Sequence, residues 1–149
     1  MDHELTIFIS LSRQPRMYVQ SDRFDAVCAY MDGYDAALRG RVLNGFRHWL
    51  LSEGDEWSNL PWWGIVRRNL FPDQNPADAL SKSGSDEALE ALACYLEQFC
   101  SCIKVGGLQA IYAKYNAWLL SRTDDATAEF RDRILEIIDS EKRRHNIEE

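Results

Sequence analysis

Long apolar runs are missing from this chain: nowhere in its 149 residues do 18 apolar residues follow one another, so no segment reads as a membrane span. Paired metal-ligand spacings are missing as well. The cysteines, Cys28, Cys94, Cys100 and Cys102, form no C-x2-C pair, and the histidines are His3, His48 and His145. A zinc site needs thiolates or imidazoles at close, repeated spacings, so no structural metal is expected. "VGGLQA" has two glycines but matches neither G-x-x-x-x-G-K-[ST] nor G-x-G-x-x-G, and there is no G-x-S-x-G elbow and no H-E-x-x-H. The sequence therefore predicts neither an enzyme nor a bound cofactor. Lysine is missing from residues 1–72, where 8 arginines face 9 acids; residues 73–149 set 9 bases against 15 acids. The halves carry −1 and −6, which make up the net −7. Such a chain, with a pI near 5.0, is a poor nucleic-acid binder, because phosphate binding needs concentrated positive charge. A basic protein partner suits it better.

What is present reads as one globular domain, large enough to bury ~68–70% of its unfolded surface. Hydrophobic residues at 46% and charged ones at 28% exclude a disordered chain, and five Trp, six Tyr and six Phe supply a heavy aromatic load for its core. The amino-terminal "MDHELTIFIS" places two acids before its apolar run and has no basic segment, which argues against a secretory signal. Together with the cysteine usage, this predicts reduced, mostly buried thiols in a cytoplasmic protein.

Apolar spacing is helical nearly throughout. "LTIFISLS" fits a strand or a helix; an isolated strand would have nothing to pair with, so a helix ending before Pro15 is favoured. "SDRFDAVCAYMDGYDAAL" opens with Ser21 as a candidate cap and aligns Phe24, Val27, Cys28, Met31, Tyr34 and Leu38. "RVLNGFRHWLL" aligns Val42, Phe46, Trp49 and Leu50. Residues 71–85, "FPDQNPADALSKSGS", read as a flexible connection holding one helical turn begun at Asn75-Pro76. Three longer helices follow: one ending at Gly106-Gly107, one carrying Leu108, Ile111, Tyr112, Tyr115, Trp118 and Leu119, and one carrying Phe130, Ile134, Ile137 and Ile138 before a polar tail at 142–149. The predicted architecture is all-α, a single-domain bundle of about six or seven helices over residues 1–149.

"SNLPWWGIVRRN" (58–69) sets two tryptophans between a proline and two arginines. Pro61 suits a first helical position, which puts Trp62, Ile65, Val66, Asn69 and Leu70 on one face. Trp63 falls at the edge of that face, one turn before Arg67. The pair is expected either to make an intrahelical cation–π contact or, as a Trp–Arg rim, to anchor a partner. A stacking platform for nucleic acid would need more exposed aromatics in a basic groove, whereas this helix offers two arginines in an acidic chain.

Asp35 lies inside an apolar arc, between Met31 and Leu38, so it needs an internal arginine or a backbone N–H as partner. An acid–base role for it has no second group in support. His48, after Arg47, reads as an ordinary residue of an outer helix face. The sharpest pattern is in the last helix. Asp125, Glu129, Asp132, Glu136 and Asp139 recur at steps of 4, 3, 4 and 3, an acidic stripe opposite Phe130, Ile134 and Ile137. It is either a solvated face, eased by a Glu129–Arg133 pair, or a docking face for a basic partner.

"RQPRMYVQ", "FDAVCAYMDGYDAAL", "GFRHWLL" and "SNLPWWGIV" together resemble a small bacterial all-helical family with an R-x-P-x-M-Y…GY…G-F-x-x-W-L…S-N-L-x-W pattern, covering roughly residues 10–70. Some members of that family resemble immunity proteins, the cytoplasmic antidotes of polymorphic or contact-dependent toxins. The resemblance implies a non-catalytic protein that neutralises a cognate basic toxin domain, such as a nuclease. Its partner-binding candidates are Asp125, Glu129, Asp132, Glu136, Asp139, Trp63 and Arg67. The alternatives are a helical adaptor or scaffold and, more remotely, an unmarked enzyme around Asp35. "RQPRMYV" is also similar to the R-P-G-M-Y-I-G segment of gyrase-type ATPases. Arg16 and Gln20 stand where that segment has glycines, and a helical chain cannot build that fold, so an ATPase is not implied.

Overall fold

In the computed structural model, the described residues are 2–122 and 125–147, with side chains described at 3–122 and 129–144. The fold is all-α. Six α-helices run α1 (Asp2–Arg13), α2 (Phe24–Ala37), α3 (Phe46–Ser52), α4 (Trp62–Leu70), α5 (Lys82–Ser121) and α6 (Asp125–Ile147), and no strand occurs among the described residues. Residues 1–115 form one compact unit and 116–149 a second. No helix among the described residues is long and apolar enough to cross a membrane.

The alternation in "LTIFISLS" is settled as a helix: Leu5, Phe8 and Leu11 are fully buried at three-residue steps, and Pro15 opens a single 3-10 turn after α1. The start of α2 is capped from far away. Ser21 Oγ accepts from the backbone N–H of Arg23, and the N–H of Phe24 is satisfied instead by Ser85 Oγ at 2.6 Å, across 61 residues. Asp35 finds the backbone partners its position requires. Its Oδ1 accepts from the N–H groups of Val42 and Leu43 at 2.8 and 2.9 Å, which ties the loop after α2 to the helix it leaves.

Val42 does not belong to a helix, contrary to expectation. α3 starts only at Phe46, because Gly45 before it adopts φ +83°, a left-handed conformation that ends the loop rather than extending the helix. A β-carbon on Gly45 would lie 3.0 Å from Leu108, so the glycine also lets α5 approach. α3 and α4 deliver the aromatic core: Phe46 lies 5.2 Å from Phe99, 5.7 Å from Trp62 and 6.1 Å from Trp49, ring centre to ring centre. The loop between them is strapped by Arg47, whose Nε and Nη2 donate to the carbonyls of Leu60 and Ser58.

The 71–85 segment contains no helical turn at Asn75-Pro76. Asn75 instead closes a tight turn, its side-chain oxygen accepting from Ala77 N–H and its carbonyl from Asp78 N–H. α5 begins at Lys82, earlier than the composition implied, and it breaks at Gly107 (φ 69°, ψ −178°), where the sequence predicts a helix end. Beyond the break, Ile111 is buried and Tyr112 Oη donates to Asn44 Oδ1 at 2.5 Å.

Candidate functional site

The predicted site residues fall in both units. Glu129, Asp132, Glu136 and Asp139 all lie exposed on α6, and the Asp125 side chain is outside the described residues. An ion pair on the stripe joins Arg131 Nε to Asp132 Oδ1 at 4.0 Å, a neighbour in sequence rather than the i, i+4 pairing expected. The opposite face of α6 was expected in a core, yet Phe130 is 51% exposed, Ile137 49% and Ile134 40%. α6 thus presents both its charged and its apolar side.

Trp63 and Arg67 lie in the first unit; Trp63 sits at the edge of the buried face as expected, but Arg67 does not share that edge. Trp63 is half-buried, and Arg67 is 7% exposed. The guanidinium is turned onto the loop after α4. Its Nη1 donates to the carbonyl oxygens of Pro76 and Asp78 at 2.5 and 2.6 Å, while Nε and Nη2 are buried with no partner. Among the described residues, a cation–π contact lies elsewhere, with Arg122 over Trp118 at 4.5 Å. Both α4 residues line one cavity of about 640 Å³, walled by Phe24, Cys28 and Asp32 of α2, by the 76–81 loop and by Ser85 of α5. Asp35 is not among its lining residues.

Electrostatics differ across this cavity. At its rim Arg23 pairs with Asp25 at 2.8 Å, and Asp22 is approached by Arg16 and Lys82 at 3.4 and 3.8 Å. Asp32, itself exposed, accepts through Oδ1 from Trp62 Nε1 at 2.7 Å, which fixes the buried indole and orients the carboxylate. Burial pushes the Cys28 thiol well above its ordinary range, Asp32 and Asp25 push it further, and Arg67 opposes them. Cys28 is therefore held as a neutral thiol rather than as a nucleophile. Among the described residues no three His, Cys, Asp or Glu side chains are placed to hold a metal ion.

His48 is also not the outer-face residue that its position after Arg47 implies. It sits between Tyr112 and Tyr115, 4.9 and 4.8 Å from their ring centres. Burial there lowers its pKa, and the Arg47 charge adds to the effect. Of the four thiols, Cys28 and Cys100 are buried, whereas Cys94 and Cys102 are exposed.

The cavity was not legible in the sequence. Its polar members Asp32, Arg67 and Ser85 come from three helices with no shared spacing; the one local signal was Trp63 and Arg67 a turn apart. No family model, no characterised protein and no solved structure matches the chain.

Proposed function

We propose that this chain is a non-catalytic antidote of the immunity-protein kind, acting in the cytoplasm, that docks a basic toxin domain and blocks its active site or substrate surface. The observation that carries this reading is α6, where Glu129, Asp132, Glu136 and Asp139 stand exposed on one side while Ile134, Leu135, Ile137 and Ile138 stay 40–53% exposed on the others. Apolar side chains left in water along a helix are a docking surface in want of a cover, and the acidic stripe selects the sign of that cover. Residues 73–149 hold 15 acids against 9 bases, so the matching surface is basic, as the substrate face of a nuclease must be. The resemblance of residues 10–70 to a small all-helical family, some of whose members resemble immunity proteins, points the same way.

The test is a titration of the chain against any basic toxin domain encoded beside its gene, at two salt concentrations. A Glu129→Gln/Asp132→Asn/Glu136→Gln variant is expected to associate more slowly and with a shallower salt dependence. Ile134→Ala/Ile137→Ala is expected to dissociate faster. Unchanged affinity and salt slope in the first variant would remove the stripe, and unchanged dissociation in the second would remove α6 from the interface altogether.

A further inference from the structure

Arg67 poses a problem that the docking surface on α6 does not solve. A guanidinium is always charged, and burying it without a counter-ion is expensive. Here the side chain is 93% buried, its hydrogen bonds run to two neutral carbonyls, and two of its nitrogens have no partner. Those two are not a random pair. Nε–H and Nη2–H lie along one edge of the guanidinium and point the same way, the fork that grips the two oxygens of a carboxylate. The loop carbonyls of Pro76 and Asp78 hold Nη1, which fixes the plane of the group and leaves that fork pre-set.

The surroundings narrow the chemistry. Phe24, Trp63 and Leu80 give the cavity apolar walls, and its volume of about 640 Å³ lies within the ~300–1,000 Å³ of small-molecule sites. Asp22, Asp25, Asp32 and Asp78 also line it, and they disfavour a doubly charged phosphate much more than a singly charged carboxylate. We infer that this cavity binds a carboxylate carried on an apolar body, gripped side-on by Nε and Nη2 of Arg67. Two sources offer that chemistry, a free small acid and the C-terminus of a polypeptide. Both nitrogens are sealed from solvent, so entry requires the wall to give. Trp63, half-buried and one helical turn before Arg67, lines the same cavity and reports on its filling.

The site is testable on the full chain by calorimetric titration, with tryptophan fluorescence as a second readout. The probes are 4-methylpentanoate, free leucine, isoamylamine, inorganic phosphate, and a tripeptide ending in leucine as the acid and as the amide. Saturable binding is expected from at least one carboxylate and from neither the amine, the amide nor phosphate. A peptide acid binding at least tenfold tighter than the small acids identifies a chain terminus as the ligand, and the reverse order identifies a free acid. Arg67→Lys keeps the charge but loses the fork, and should weaken binding by about tenfold or more. Because a buried position can also damage folding, Ala29→Phe provides a separate check. Ala29 is exposed and lines the cavity, so a phenylalanine there should abolish binding while leaving the circular dichroism spectrum and melting unchanged. Silence from every carboxylate overturns the inference. So does equal binding of acid and amide, a response to phosphate alone, or full binding by a folded Arg67→Lys or Ala29→Phe variant.

Discussion

Trp62 and Trp63 are adjacent in the chain and differ in what a truncation would cost. Trp62 is 7% exposed, packs on Phe46 and donates to Asp32. Trp62→Ala should lose ~3–5 kcal/mol through the void it leaves. Trp63 faces a space that is already open, so Trp63→Ala should lose much less; urea melts of the two variants make the comparison. Asp35→Ala should cost ~1–3 kcal/mol by orphaning the N–H groups of Val42 and Leu43. His48 predicts a pH effect of definite sign. Its folded pKa lies below the ordinary value of ~6.5, so near that pH the unfolded chain binds the extra proton. The contribution to stability is then complete above ~6.5 and declines as pH falls through the interval down to the folded value. NMR titration of the imidazole should show the lowered midpoint, and His48→Gln should flatten that part of the stability–pH curve. For the thiols, iodoacetamide should modify Cys94 and Cys102 quickly and Cys28 and Cys100 slowly, as counted by mass.

At the scale of elements, two glycines separate backbone strain from crowding. Gly107 has φ 69° and ψ −178°, a region open essentially to glycine alone, and a β-carbon there would meet nothing within 4 Å. Gly107→Ala should therefore cost ~1–3 kcal/mol from conformation only. Gly45→Ala carries a comparable strain plus a 3.0 Å approach to Leu108, and denaturant melts should show the larger loss there. These two positions also show how far the sequence could be read. The helices were legible because burial repeats at helical spacing, as Leu5, Phe8 and Leu11 do, and Gly106-Gly107 marked a real interruption. The late start of α3 was not, because the apolar spacing runs straight through Gly45 and only its dihedral angles stop the helix. Arg67 was misjudged for a related reason. Its burial depends on carbonyls 9 and 11 residues further on, and nothing local announces where that loop returns. His48 was hidden likewise by Tyr112 and Tyr115, more than 60 positions away in the sequence.

For the whole molecule, the uneven charge has consequences for solution behaviour. With a net −7 at neutral pH and a pI near 5.0, solubility should pass through a minimum close to pH 5, measurable by turbidity, as mutual repulsion between copies disappears. Neutralising Glu129, Asp132 and Glu136 should shift stability by less than ~1 kcal/mol, since exposed side chains contribute little to folding; a chemical melt of the triple variant tests this separately from any partner.

The hydrogen bond from Phe24 to Ser85 also sets an order of events during synthesis. The separation of 61 positions between them takes about 3–12 s to translate at ~5–20 residues per second. For that interval the first turn of α2 lacks the hydroxyl that completes it. Gly45 waits longer still, until Leu108 and Ile111 arrive to close over it. The amino-terminal half is thus synthesised well before its own core can be sealed.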